Sequence, residues 1–232
     1  AVRRAIAPTS PDCPSPPAMT HATLPTPSTL TLGARPDAAG ATFRVWAPAA
    51  GRVEVVVYRD GTEEAHPLAP DGDGYHAGIV AGAGPGTRYR YRLDGGATYP
   101  DPASRSQPDG VHGPSEVVDP DAFAWTDAGW RGIAADDLVI YELHVGAFTP
   151  AGTFDAAIAR LDDVAALGAT AIEVMPIAAF AGARNWGYDG VALYAPAAPY
   201  GGPDGFRRLV DAAHARGLAV ILDVVYNHLG PE

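Results

Sequence analysis

Two short stretches of this chain concentrate residue types suited to holding a polar, uncharged substrate. The first, Asn185-Trp186-Gly187-Tyr188-Asp189-Gly190, sets two flat rings beside an amide and a carboxylate. The second, Asp223-Val224-Val225-Tyr226-Asn227-His228, follows directly on the apolar run Leu218–Leu222. Aromatic faces stack on the apolar faces of sugar rings, while sugar hydroxyls need donors and acceptors close by. The chemistry that these residues fit is therefore carbohydrate recognition. Neither stretch is a phosphate cradle, since no Gly-rich loop ending in Lys follows a strand. Neither has the paired Cys/His spacing of a zinc site, nor the oxygen cluster of a calcium loop. No metal and no cofactor are expected.

Other ionisable residues have plainer readings. Glu142 and Glu173 fall inside apolar runs, where a carboxylate is usually a hydrogen-bonded structural group. His144 closes the first of those runs and is expected to be a satisfied structural histidine. His66, His76, His112 and His214 are expected to face solvent. Trp186 and Tyr188 either stack on a ligand or plug the end of a sheet, and their types alone leave both open.

The elements that must position these residues lie in the second half of the chain. Leu138–Val145, Ala171–Met175 and Leu218–Val225 are apolar runs of the kind a buried parallel strand shows. A helix is expected from Thr153, a natural N-cap, with Phe154, Ile158, Leu161 and Ala165 on its inner face and Gly168 at its end. A second helix is expected from about Pro203 to Arg216, with Phe206, Leu209, Val210 and Ala213 inside and Gly217 as its cap. The alternation β-α-β-α-β predicts a parallel sheet with right-handed crossovers. Asp223 then falls at the carboxyl end of a strand, where the chemistry of α/β barrels collects.

Upstream, residues 31–95 read as all-β. The runs Ala41–Trp46, Arg52–Tyr58, Tyr75–Val80 and Thr87–Leu93 are separated by turn signals such as Asp60-Gly61 and Asp94-Gly95-Gly96, which predicts a small sandwich. Residues 96–137 form a Pro/Asp/Gly-rich linker with Trp125 and Trp130, expected to pack against the following domain. Residues 1–30 carry seven prolines and no apolar period, which predicts a disordered leader. The chain starts at Ala1, and Met19 is an alternative start.

Composition bounds the partners. A net charge of −11, with all 16 basic residues being Arg, gives no basic surface for nucleic acid. Cys13 is the single cysteine, so no internal disulfide is available. No run approaches a membrane span, and no secretory core stands at the N-terminus, so a cytoplasmic protein is expected.

The stretch Asp223–His228 resembles the first signature of the α-amylase superfamily of glycoside hydrolases. The longer combination IYELHVGAFTPAGTF, NWGYDG and YGGPDGFRRLVDAAHARGLAVILDVVYNHLGPE is similar to the malto-oligosyltrehalose trehalohydrolase branch of that superfamily. So are the upstream stretches FRVWAPAA, DGDGYH, PDPASR, QPDGVHGPSEVVDP and WTDAGW. The resemblance spans about residues 31–232. It implies an immunoglobulin-like β-sandwich of the carbohydrate-module type, followed by the first part of a TIM barrel with about three of its eight strands (residues 138–232). It implies retaining hydrolysis of maltooligosyl-trehalose or a related α-glucan. Tyr188 would stack beneath the sugar at the cleavage point and His228 would donate to one of its hydroxyls. Asp223 would hydrogen-bond within the site and order the neighbouring strand, Asn227 would fix the loop after strand three, and Asp189 would fix its loop or touch substrate. The nucleophile, the acid/base and a third carboxylate would lie on strands four, five and seven, beyond Glu232, leaving this chain an N-terminal fragment with no catalytic residue of its own. A glucan-branching or debranching enzyme of the superfamily, or a non-catalytic glucan-binding piece, are the alternatives. In the sandwich, Tyr58, Tyr75, Tyr89 and Tyr91 are stacking candidates, with core packing the expected use.

Overall fold

The computed structural model describes residues 32–231; the expected leader and alternative start lie outside these residues. The first half is a β-sandwich. Its strands are β1 (Gly33–Asp37), β2 (Gly40–Trp46), β3 (Val53–Arg59), β4 (Thr62–Pro70), β5 (Tyr75–Ala81) and β6 (Arg88–Leu93), joined by the short β7 (Thr98–Tyr99) and β8 (Ser115–Glu116). The pairing order is β1-β2-β5-β4-β3-β6-β7, with β8 also on β6. The long strand β4 pairs with β3 along its length and with β5 only at Ala69 and Pro70, so it passes from one sheet to the other. Asp60-Gly61 closes the β3–β4 hairpin with both residues at positive φ (48° and 77°), the turn that suits the twist of paired strands.

Phe43, Val53, Val55, Val57, Tyr89 and Tyr91 fill the sandwich core. Two of the four tyrosines named as stacking candidates, Tyr89 and Tyr91, are core residues, the use expected for them. The opposite side of β3 is covered as well. There Arg88 meets Asp109 and Glu116, and Arg90 donates to the His112 carbonyl. The start of the expected linker is thus part of the sandwich: β7 and β8 extend strand pairing to Glu116. Its later part lies along a helix of the second half. Thr126 donates from N and Oγ1 to Asp211 (2.8 Å each), Asp127 meets His214 Nδ1 at 2.7 Å, and the Trp130 ring stacks on His214. His214 is held on both sides and His76 is only 6% exposed, so neither faces solvent as expected.

The second half is a three-stranded parallel sheet in the order β13-β10-β9: β9 is Ile140–Leu143, β10 Ala171–Val174 and β13 Ala219–Leu222. The crossover after β9 carries α1 (Val145–Phe148), α2 (Phe154–Ile158) and α3 (Leu161–Ala166). Thr153 caps α2 by accepting from Ala156 N at 3.2 Å. The single expected helix breaks at Ala159-Arg160, but Phe154, Leu161 and Val164 still reach one core. The crossover after β10 carries a small hairpin, β11 (Ala178–Ala179) with β12 (Ala192–Pro196), then a 3₁₀ turn at Ala198–Tyr200 and α4 (Gly202–His214). Leu143, Val174, Leu209 and Leu218 join that core, burying the helix-facing side of the sheet. This is a β-sandwich followed by a three-strand parallel α/β segment, the layout expected of the two halves.

Candidate functional site

The carboxyl ends of β9, β10 and β13 are level, because Leu143, Val174 and Leu222 share a register. Alternation along a strand turns successive side chains to opposite faces. Leu143 and Val174 enter the helix-covered core, so Glu142, Glu173 and Ile221, paired in the preceding register, face the concave side. Asp223 follows one residue beyond Leu222, with its N–H still on the Val174 carbonyl at 2.9 Å. It falls on the same side as Glu173. Glu142 is exposed and Glu173 half-buried, and neither carries a side-chain hydrogen bond among the described residues.

The loop between β11 and β12 brings the aromatic stretch over these ends. Gly187 has φ +105°, and a Cβ there would stand 3.0 Å from Pro176 Cδ and 3.1 Å from its carbonyl oxygen. Only glycine lets the backbone cross Pro176 at that distance. Asn185 Oδ1 accepts the Gly187 N–H, and the Asn185 carbonyl lies 2.7 Å from His144 Nε2. His144 thus ties the end of β9 to this loop through Nε2, while its buried Nδ1 has no partner among the described residues, so it is not the fully satisfied histidine expected. The loop presents its rings outward: Trp186 is 79% exposed and Tyr188 45%.

The last segment closes on the same loop. His228 Nε2 lies 2.7 Å from the Tyr188 carbonyl, and Gly230 N donates to the Gly190 carbonyl at 2.9 Å. A Cβ at Gly230 would come within 2.6 Å of the Asp189 carbonyl oxygen, so the chain packs directly against Asp189. Asp223, Gly187, Gly190 and Tyr226 line one small cavity between the two segments. The structure therefore brings the segment bearing Asp223 and His228 against the loop bearing Tyr188 and Asp189, forming one rim. Asn227 is exposed at that rim and makes no side-chain hydrogen bond among the described residues.

Beside this rim opens a cleft of about 730 Å³, lined by His144, Gly146, Arg184, Asn185, Trp186, Asp189 and Tyr200 among others. Tyr200 is the residue that sequence reasoning missed. Its ring packs edge-on to His144 and against Phe154 and Phe180, burial pushes its hydroxyl above the usual tyrosine range, and that hydroxyl has no hydrogen-bond partner among the described residues. Its only sequence signal was the Pro199-Tyr200-Gly201-Gly202 turn before α4. Among the described residues, no three His, Cys, Asp or Glu side chains converge as a metal site requires, and no helix is long and apolar enough to cross a membrane.

Such a rim can grip a neutral sugar by ring stacking and by hydrogen bonds from a histidine and an aspartate. Comparison with known proteins agrees with that chemistry. The model of the alpha amylase catalytic domain matches residues 98–232, and that of carbohydrate-binding module 48 (isoamylase N-terminal domain) matches residues 31–120. A malto-oligosyltrehalose trehalohydrolase of Deinococcus radiodurans is 53% identical over 226 residues, covering 97% of this chain and 36% of that protein. One from Saccharolobus solfataricus is 51% identical over 203 residues, covering 88% of this chain and 36% of that protein. A solved structure described as an alpha amylase from Salmonella typhimurium superposes with a TM-score of 0.82 at 49% identity, covering 87% of this chain and 34% of that one. The chain spans about a third of the length of the curated relatives it matches. With its catalytic-domain match covering more than half its residues, this chain belongs to the α-amylase family of glycoside hydrolases.

Proposed function

We propose that the full-length protein hydrolyses the α-1,4 bond next to the terminal trehalose of maltooligosyl-trehalose and releases trehalose. In this reading the present chain builds one side of the subsite where cleavage occurs. The observation that carries it is the closure of the last segment on the aromatic loop, His228 Nε2 against the Tyr188 carbonyl at 2.7 Å. That contact holds the segment bearing His228 against the loop bearing Tyr188, with Asp223 at the adjoining strand end, which supports the reading. The trehalohydrolase names of relatives at about half identity support the choice of substrate.

Tyr188 supplies the flat face beneath the scissile sugar. His228 has one nitrogen at a backbone carbonyl and one left for a hydroxyl, the pairing that fixes a tautomer. Asp223 orients the neighbouring strand and accepts from substrate, with Asn227 and Asp189 holding the two loops. Retaining hydrolysis needs a nucleophile and an acid/base about 5–5.5 Å apart; we assign both to residues following Glu232. The single cysteine, Cys13, is in keeping with a reducing compartment, and we place the reaction in the cytoplasm.

The experiment is release of free trehalose from maltooligosyl-trehalose by the full-length protein. We expect release, and a fall in kcat/KM of about 10²-fold or more in Tyr188→Ala and in His228→Ala, the scale seen when a group that steadies the transition state is removed. Branched products from linear glucan, with no trehalose from this substrate, would move the protein to the branching group of the same family.

A further inference from the structure

Two histidines hold the aromatic loop, one from the side of each outer strand of the parallel sheet. His144 directly follows β9, and its Nε2 lies 2.7 Å from the Asn185 carbonyl. His228 stands in the segment after β13, and its Nε2 lies 2.7 Å from the Tyr188 carbonyl. A carbonyl oxygen only accepts, so each imidazole donates through Nε2. The other hydrogen bond into residues 184–190 from outside the loop, among the described residues, runs from Gly230 N to the Gly190 carbonyl. It too comes from the segment after β13. On the β9 side His144 acts alone.

The imidazole of His144 is closely seated. Its backbone is fixed at the start of α1, where the His144 carbonyl accepts from Ala147 N (3.0 Å) and Phe148 N (2.9 Å). Tyr200 packs edge-on with 6.1 Å between ring centres. A Cβ on Gly146 would stand 3.0 Å from His144 Cε1 and 3.2 Å from the Tyr200 hydroxyl, so any side chain there would press on both rings. The Nδ1 atom is closed to solvent and has no partner among the described residues. A phenylalanine would fill the same slot without an unpaired nitrogen whose lost hydration nothing replaces. Packing alone therefore gives no reason for a histidine here, whereas the bond to Asn185 does. The hold is also passed along the loop. Asn185 Oδ1 accepts the Gly187 N–H, and Gly187 crosses Pro176 immediately before Tyr188.

We propose that His144 is a positioning residue for the reaction: by holding the Asn185 carbonyl it keeps the Tyr188 ring where the substrate sugar meets it, while His228 grips the other side of the same loop. His144 acts through the loop and not on the substrate. This rests on the proposed function for the role of Tyr188 and for the reaction assayed.

The test is a double-mutant cycle in the full-length protein. His144→Phe keeps a ring in the slot and removes the donor. We expect kcat/KM for trehalose release to fall about tenfold, the scale of one lost hydrogen bond. In a Tyr188→Ala background the same change should cost about twofold at most, because the ring that it positions is gone. His144→Gln, whose amide nitrogen can donate in place of Nε2, should keep most of the activity. If His144→Phe does not fold, Gly146→Ala makes the same test: Ala suits a helix better than Gly, and its methyl displaces the imidazole from beside α1. Equal losses with and without Tyr188, or no loss, overturn the proposal. Hydrogen exchange reads the hold on the loop apart from activity. Amides of residues 185–190 should exchange faster in His144→Phe, while those of Leu209 and Ala213 in the core stay slow. Unchanged exchange in the loop overturns the proposal. Faster exchange in a protein whose parent releases no trehalose sustains the hold on the loop and counts against the proposed function instead.

Discussion

Asp101 shows how a single residue can set the pH response of the sandwich. Burial pushes its carboxyl up to about 6, against the pull of the Tyr89 hydroxyl (2.6 Å), the Ala103 N–H (2.8 Å) and the Arg105 charge. The folded pKa thus lies above the unfolded one, so the folded state binds this proton more tightly. Its contribution is fully present below about pH 4 and is lost as pH rises through 6. The size is on the order of 2–3 kcal/mol, from one pKa unit being worth about 1.4 kcal/mol. Since 27 acidic residues titrate together, the clean measurement is a difference. Denaturant unfolding of Asp101→Asn against the parent should show the variant gaining relative stability from pH 4 to pH 6 and none beyond. A flat difference across that window would remove the burial argument. Nothing in the local sequence announces this residue, for Asp101 sits in a Pro/Asp-rich stretch that reads as an exposed connection. It is buried because Tyr89 of β6 and Ser115 of β8, distant in sequence, converge on it. Tyr200 escaped for the same reason. The stretches Asn185–Gly190 and Asp223–His228 could be singled out because their chemistry is written in adjacent letters.

At the scale of elements, legibility followed apolar content. β9, β10 and β13 are short apolar runs, and α4 has a clean inner stripe, so the parallel sheet could be read directly. β4, by contrast, is Thr62-Glu-Glu-Ala-His-Pro-Leu-Ala-Pro, mostly exposed and holding two prolines, so no alternation marks it. β7, β8 and β11 are two residues each, and β12 is built largely of Ala and Pro; they exist through their partners, not their propensities. The loop between β11 and β12 carries the sharpest elemental prediction. Gly187→Ala adds a methyl to a residue at φ +105° that already touches Pro176. Strain of this kind costs on the order of 1–3 kcal/mol. The loop relieves it by moving the adjacent Tyr188 and loosening the Asn185 link to His144. We expect trehalose release by the full-length protein to fall at least tenfold with little change in melting temperature, because the loop lies outside both large cores. Unchanged kcat/KM would mean that the Tyr188 ring is not held by this crossing.

The whole molecule joins a self-sufficient half to a dependent one. The sandwich buries β3 on both faces and wraps its own connection around β6, whereas the barrel segment covers only the helix side of its sheet. Among the described residues β9 and β13 each pair on one side alone; Ile140 stands exposed on the open side, Leu222 on the edge strand β13, and Val224, Tyr226 and Leu229 just past its end. An unpaired strand edge presents a free row of N–H and C=O groups, and an exposed apolar face beside it favours association. Isolated residues 1–232 should therefore scatter light at micromolar concentration, and hydrogen exchange should distinguish the halves: slow amides at Val53–Val57 and Tyr89–Tyr91, fast ones at Ile140–Leu143 and Ala219–Leu222. The same polypeptide should release no trehalose, because the groups that do the covalent work are assigned elsewhere and account for many orders of magnitude of rate. A monodisperse monomer with equal protection in both halves would show that three strands of this barrel are a stable unit. Trehalose release from it would place a nucleophile among the carboxylates present here, with Glu142, Glu173 and Asp223 on the concave face the first to substitute.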